Sequence, residues 1–157
     1  MPHLAPRLRH HLNGLRVPYE VSEHVRTETS GETAQVAHVP GDTLAKGVLL
    51  EDEAGPVLAV LRSTHHVDVE LLNRALDRRL ALAPEERLKA WFDDCALGAL
   101  PIAGRAYGVE TVVDTSLAGV EEVCFEAGDH RHLVHIDADG FARVMETAKR
   151  ANFSVHD

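Results

Sequence analysis

The unbroken apolar run Val57-Leu58-Ala59-Val60-Leu61 limits what this chain can become more than any other stretch does. A strand with one wet face alternates apolar and polar side chains, so a strand without polar side chains has to be covered on both faces. Leu44 to Glu51, largely apolar, precedes it, with Asp52-Glu53-Ala54-Gly55 between. The two segments predict a hairpin with a four-residue turn.

Helical and strand periods place the other elements around that hairpin. Leu4, Leu8 and Leu12 stand four apart before Asn13-Gly14 and predict a short amphipathic helix. Val17 to Val25 alternates as a strand, and Thr29 with Glu32 forms a capping box for a helix running to Val39, ended by Pro40-Gly41. Asp68 caps a helix whose inner face is Val69, Leu72, Ala75 and Leu76. Pro84-Glu85-Glu86 opens another, with Leu88, Trp91 and Phe92 inward. Glu110 to Asp114, Glu121 to Glu126 and His132 to Ile136 follow as strands. A last helix from about Asp139 carries Phe141, Val144, Met145 and Ala148 on one face. The order α-β-α-β-β-α-α-loop-β-β-β-α indicates one α/β domain over residues 1–157, with a mixed sheet curled toward a barrel.

With 16 Lys plus Arg against 25 Asp plus Glu, the net charge of −9 argues against a broad surface that holds nucleic acid by charge, and against DNA as a partner. No apolar run approaches the ~20 residues of a membrane span, and Met-Pro-His-Leu begins no signal-peptide pattern, so the expected compartment is the cytoplasm. Cys95 and Cys124 form neither a disulfide framework nor a CxxC site.

Two features carry chemistry. Asp93 to Gly108 holds Gly98, Gly104, Gly108 and Pro101 among small apolar residues and keeps no period, so it is a long loop. Such a loop can present successive N–H groups to a carbonyl oxygen or an oxyanion, or it can be a plain connection. Lys46 heads a strand and shares its face with Val48 and Leu50. It is either an edge lysine that discourages aggregation or a cation aimed into a cleft. The cluster His130, Arg131, His132, His135 invites a metal, but no HxxxH helix or Cys/His quartet accompanies it, and no metal or other cofactor is assigned. His65-His66 is expected as a surface turn. Cys95 has no identifiable basic partner that would make it a nucleophile, and Cys124 fits a packed strand position.

Three landmarks in order then give a resemblance: Leu44-Ala45-Lys46 running into Val48-Leu49-Leu50, Gly98-Ala99-Leu100-Pro101-Ile102-Ala103-Gly104, and Phe125-Glu126-Ala127-Gly128-Asp129-His130. From Leu4 to Phe153 the chain resembles the YbaK/EbsC family of free-standing aminoacyl-tRNA deacylases, related to the editing domain of bacterial prolyl-tRNA synthetases. The landmarks are similar to that family's lysine strand, its GxxxPxxG loop and its Ala-Gly-x-His turn. Ile102 stands where the family has proline, with Pro101 one position earlier. Gly47 stands where Thr or Val commonly follows the lysine.

The resemblance implies a mixed, strongly curved, barrel-like sheet surrounded by helices, as in the prolyl-tRNA synthetase associated domain. It implies hydrolysis of the ester joining an amino acid to the terminal ribose of mischarged tRNA, without a cofactor. Lys46 would be the catalytic residue, and Gly98, Ala99, Leu100, Pro101, Gly104, Gly128 and His130 would bind substrate. The partners would be the acceptor end of aminoacyl-tRNA and, as a further option, a synthetase. Tyr107 would stack on the terminal adenine or serve as a lid over the core. A non-catalytic module that binds tRNA or a synthetase is the alternative, and a metal-dependent hydrolase rests on the histidine count alone.

Overall fold

The computed structural model describes residues 4–24 and 43–157. The helix expected over 29–39 lies outside the described residues. The hairpin forms from β2 (Ala45–Asp52) and β3 (Gly55–Arg62), paired in register from Ala45 opposite Arg62 to Asp52 opposite Gly55. Its turn is therefore the two residues Glu53-Ala54 rather than four, because Gly55 takes φ of +127° and the Asp52 carboxylate accepts the Ala54 N–H at 2.8 Å.

β3 sits at the centre of a mixed five-stranded sheet ordered β5-β2-β3-β6-β9, with β5 at Ala81–Leu82, β6 at Glu110–Asp114 and β9 at Lys149–Ala151. β6 runs parallel to β3 and β9 parallel to β6. Every residue from Val57 to Leu61 is fully buried, as the unbroken apolar run requires. One face packs Leu58 and Val60 against the loop residues Leu100 and Ile102, helix α1 (Pro6–Gly14) through Leu8 and Leu12, and a second sheet. The other packs Val57, Ala59 and Leu61 against Leu72 of helix α2 (Val69–Leu76) and Phe153. Asp68 caps α2 as expected, accepting the Leu71 N–H at 3.1 Å. Ala75, expected on its inner face, is exposed.

The second sheet is antiparallel, ordered β1-β8-β7, with β1 at Glu20–Glu23, β7 at Glu122–Glu126 and β8 at His132–Asp137. A third sheet pairs β4 (His65–Val67) with β10 (Ser154–His156), so His65-His66 is a strand and not a turn. The barrel-like curl does not form: the described strands make three sheets, joined between β2 and β7 only by the parallel bridge Leu44–Cys124. The reason lies in the outer edge of β2. It is taken by β7 at Leu44 and by β5 at Leu50 and Glu51, two partners that leave Lys46 to Leu49 between them.

Helix α3 (Glu85–Trp91) begins after Pro84 as the proline and acids predict. The last helix, α4 (Ala138–Val144), stops short of Ala148, because the following residues leave to form β9 beside β6. The buried Asp114 carboxylate fastens this C-terminal end, accepting the Phe153 and Ser154 N–H groups at 2.8 and 3.1 Å and the Ser154 hydroxyl at 2.6 Å.

Candidate active site

Asp94 is the anchor of the long loop. Its carboxylate accepts the Arg7 N–H at 2.9 Å and the Tyr107 hydroxyl at 2.7 Å, tying both ends of the loop to α1. Burial opposes ionisation of Asp94, but the Arg7 N–H and the Tyr107 hydroxyl outweigh it and hold its pKa below the usual carboxylate value. Tyr107 is buried against Phe92, with ring centroids 4.5 Å apart, and under the Arg7 guanidinium at 4.7 Å. It is the lid over the core and presents no face for an adenine. Cys95 is half-buried, and burial, with Asp94 beside it, pushes its thiol up to about 12, which favours the protonated thiol over the nucleophilic thiolate.

The third landmark is fastened to the second. The Ala96 N–H donates to the Gly128 carbonyl at 2.7 Å, and the His130 ring meets the Leu97 carbonyl through Nε2. Gly128 takes φ of +116°, and a Cβ there would lie 3.1 Å from Ala5 Cβ and 3.3 Å from Cys95 Sγ, so glycine is required by both backbone and space. Asp129 closes the turn by accepting the Arg131 and His132 N–H groups at 2.9 and 3.0 Å.

The gap in the edge of β2 is a cavity of about 280 Å³ whose walls include Lys46 to Leu49, Leu82, Leu88, Gly98, Leu100 and Glu126. Ala83 donates its N–H to the Leu49 carbonyl at 3.0 Å, so the odd-numbered residues turn their polar backbone groups to the outer edge. Gly47 therefore directs its N–H and C=O into the gap. A Cβ at Gly47 would lie 2.9 Å from Leu58 Cδ1, so glycine here makes room for a core leucine. Lys46 donates from Nζ to the Ser63 carbonyl at 3.3 Å, and burial lowers its pKa despite the opposing pull of Asp157.

Of the residues singled out in the sequence, Lys46, Gly98 and Leu100 line this cavity. Ala99, Pro101, Gly104, Gly128 and His130 lie outside its lining. Gly98 has φ of +81°, and among the described residues the Gly98 and Leu100 N–H groups have no protein acceptor, whereas Ala99 donates to Ala96 at 3.1 Å. Gly104 is a packing glycine, enclosed by Thr111, Val109 and Leu58. Glu126, buried and facing the same cavity, was not singled out, and its place in an alternating strand gives no signal for it. A second cavity of about 260 Å³, between the end of β6 and α4, touches none of these residues.

No curated relative matches the chain. Among solved structures, a candidate trans-editing enzyme for prolyl-tRNA synthetase superposes with a TM-score of 0.84 at 21% identity, covering 99% of both chains. A protein of unassigned function superposes with a TM-score of 0.83 at 16% identity, covering 95% of this chain and 99% of the other. A candidate signal-transduction protein of Marinobacter aquaeolei VT8 matches at 25% identity with a TM-score of 0.74; 95% of this chain is covered, but it spans only 30% of that protein's length. Residues 24–144, which include every segment of the β2-edge cavity, match the model of the aminoacyl-tRNA editing domain, and the chain belongs to that family.

Proposed function

We propose that this protein is a trans-acting aminoacyl-tRNA deacylase that hydrolyses the ester of mischarged tRNA. The observation that carries the reading is the meeting of Lys46, the Gly98–Leu100 wall and the Gly47 backbone edge at one cavity. The aminoacyl group enters the gap beside β2. Its carbonyl oxygen takes the N–H groups of Gly98 and Leu100, which stabilise the tetrahedral oxyanion; one such donor is worth about 2.7–4 kcal/mol of barrier. The Lys46 ammonium, with donors to spare beyond Ser63, orients the terminal nucleotide or ester and balances the developing charge. Glu126 offers a carboxylate to the α-ammonium of the substrate. A neighbouring ribose hydroxyl helps activate the attacking water, and the activated ester needs only modest assistance.

The test is turnover of a panel of charged tRNAs by wild type and Lys46→Ala. Hydrolysis of at least one mischarged species, lost in a folded Lys46→Ala protein, supports the reading. Binding of charged tRNA without hydrolysis would replace it with a non-catalytic tRNA-binding module. Wild-type turnover by folded Lys46→Ala would remove Lys46 from the mechanism.

A further inference from the structure

On the second sheet, Cys124 of β7 stands directly opposite His135 of β8, and Glu122 lies two residues earlier on the same face. Cys124 Sγ is 3.1 Å from His135 Nδ1 and 3.4 Å from Glu122 Oε1, and His135 Nδ1 is 3.2 Å from the same Glu122 oxygen. The three atoms therefore form a nearly equilateral triangle. Around tetrahedral zinc, bonds of about 2.3 Å to sulfur and about 2.0–2.1 Å to nitrogen or oxygen place ligand atoms roughly 3.3–3.6 Å apart. The triangle is within a few tenths of an ångström of that size already.

The other imidazole nitrogen is also settled. His135 Nε2 lies 2.7 Å from the Ser22 hydroxyl of β1, a contact that holds the ring and leaves Nδ1 directed at Cys124 and Glu122. Metal-bound histidines are ordinarily oriented by such a partner on their second nitrogen. Cys124 is fully buried, the His135 side chain is 19% exposed and the Glu122 side chain 58% exposed. The triangle thus has a protein side and a solvent side, which leaves a fourth position open to solvent.

The geometry points to a binding site for a zinc-class divalent cation at Glu122, Cys124 and His135, separate from the cavity beside Lys46. Coordination is by the Cys124 thiolate, the neutral His135 Nδ1 and a Glu122 carboxylate oxygen, with the thiol proton released to solvent. The ion would pin β7 to β8 two residues before Glu126, on the same face of β7. The inference does not depend on the deacylase reading, since its readout is metal binding.

Titration of the purified chain with Co²⁺, a spectroscopic stand-in for zinc, tests it. The expected result is a thiolate-to-cobalt charge-transfer band with tetrahedral visible bands, saturating at one ion per chain and displaced by Zn²⁺. Cys124→Ser should abolish the charge-transfer band, and His135→Gln and Glu122→Gln should each weaken binding at least tenfold. Ser22→Ala should weaken it about 10–100-fold. A paired His65→Gln, His66→Gln variant should bind as wild type does. No charge-transfer band in wild type, or a band that survives Cys124→Ser, overturns the site. Should Cys124→Ser fail to fold, unchanged affinity in Glu122→Gln, whose side chain is largely exposed, is the overturning result.

Discussion

Gly104→Ala separates packing from substrate contact within the long loop. A Cβ at Gly104 would lie 2.2 Å from Thr111 Oγ1 and 2.9 Å from the Val109 carbonyl oxygen. Carbon–oxygen contacts rarely close below about 3.3 Å, so the first overlap is about 1 Å. Thr111 is buried and its hydroxyl donates to that same Val109 carbonyl at 3.3 Å, so rotating it away gives up a hydrogen bond. The backbone cannot simply retreat either, because Val109 donates its N–H to the Gly104 carbonyl at 3.0 Å. Overpacking costs about 1–3 kcal/mol and the lost hydrogen bond about 0.5–1.5 kcal/mol. The sum is roughly 2–4 kcal/mol, or about 4–16 °C in Tm for a chain of this size. Thermal and urea unfolding of wild type, Gly104→Ala, Thr111→Ala and the double variant measure it. The double variant should be more stable than the sum of the singles predicts, by about 1 kcal/mol or more. Well below its melting temperature, Gly104→Ala should retain its turnover per folded molecule, since Gly104 does not line the cavity. A Gly104→Ala protein as stable as wild type, or strict additivity in the cycle, would refute the packing argument. Full stability with lost activity would favour a substrate contact at Gly104 over a packing role.

At Gly98, φ of +81° makes any β-branched residue strained, and the position lines the cavity; Gly98→Val should lower kcat/KM about 100-fold or more while unfolding remains cooperative. Wild-type turnover by that variant would reduce the loop to a connection. For Asp94, a folded pKa below the ordinary value means its stabilising contribution is fully present above about pH 4 and is lost as pH falls through the lower folded value. The Tm gap between wild type and Asp94→Asn should accordingly be constant from pH 5 to 7 and shrink below about pH 4; a gap independent of pH contradicts the assignment. With a net charge of −9, only about 1–3 phosphates of the acceptor end should be neutralised, giving a log K against log salt slope of magnitude roughly 1–2. A slope steeper than about −4, together with inert acceptor-end mimics, would require a wide basic surface.

Among the described residues, several elements with a clear period lie where their sequence signals put them, because those signals are local. β6 spans Glu110–Asp114 as its apolar run indicates, and the Asp68 cap and the Pro84 helix start follow from one or two side chains each. β5, β9 and β10 have no sequence signal: two or three residues carry no period, and each strand exists only because a distant edge accepts it. Asp114 illustrates the limit. In sequence it ends a strand, and in the fold it gathers donors from Phe153 and Ser154, about forty positions away.

Composition and order along the chain were enough to determine that β3 is covered on both faces, that Lys46 heads an otherwise apolar strand face, and that the segment around Gly98 keeps no helical or strand period. Those properties are written in side-chain polarity and in the backbone freedom of glycine, which neighbours in sequence reveal. Tertiary structure alone decided that β2 shares its outer edge between β7 and β5. That division stops the sheet from curling into a barrel and opens the cavity where Lys46, Gly98, Leu100 and Glu126 meet. It also sorted the loop into cavity wall and packing, turned Tyr107 inward, and set Cys124 opposite His135. The physical reason is common to all of these: strand-edge pairing and side-chain convergence depend on which distant segments satisfy each other's hydrogen bonds and fill each other's volume, and no local pattern encodes that choice.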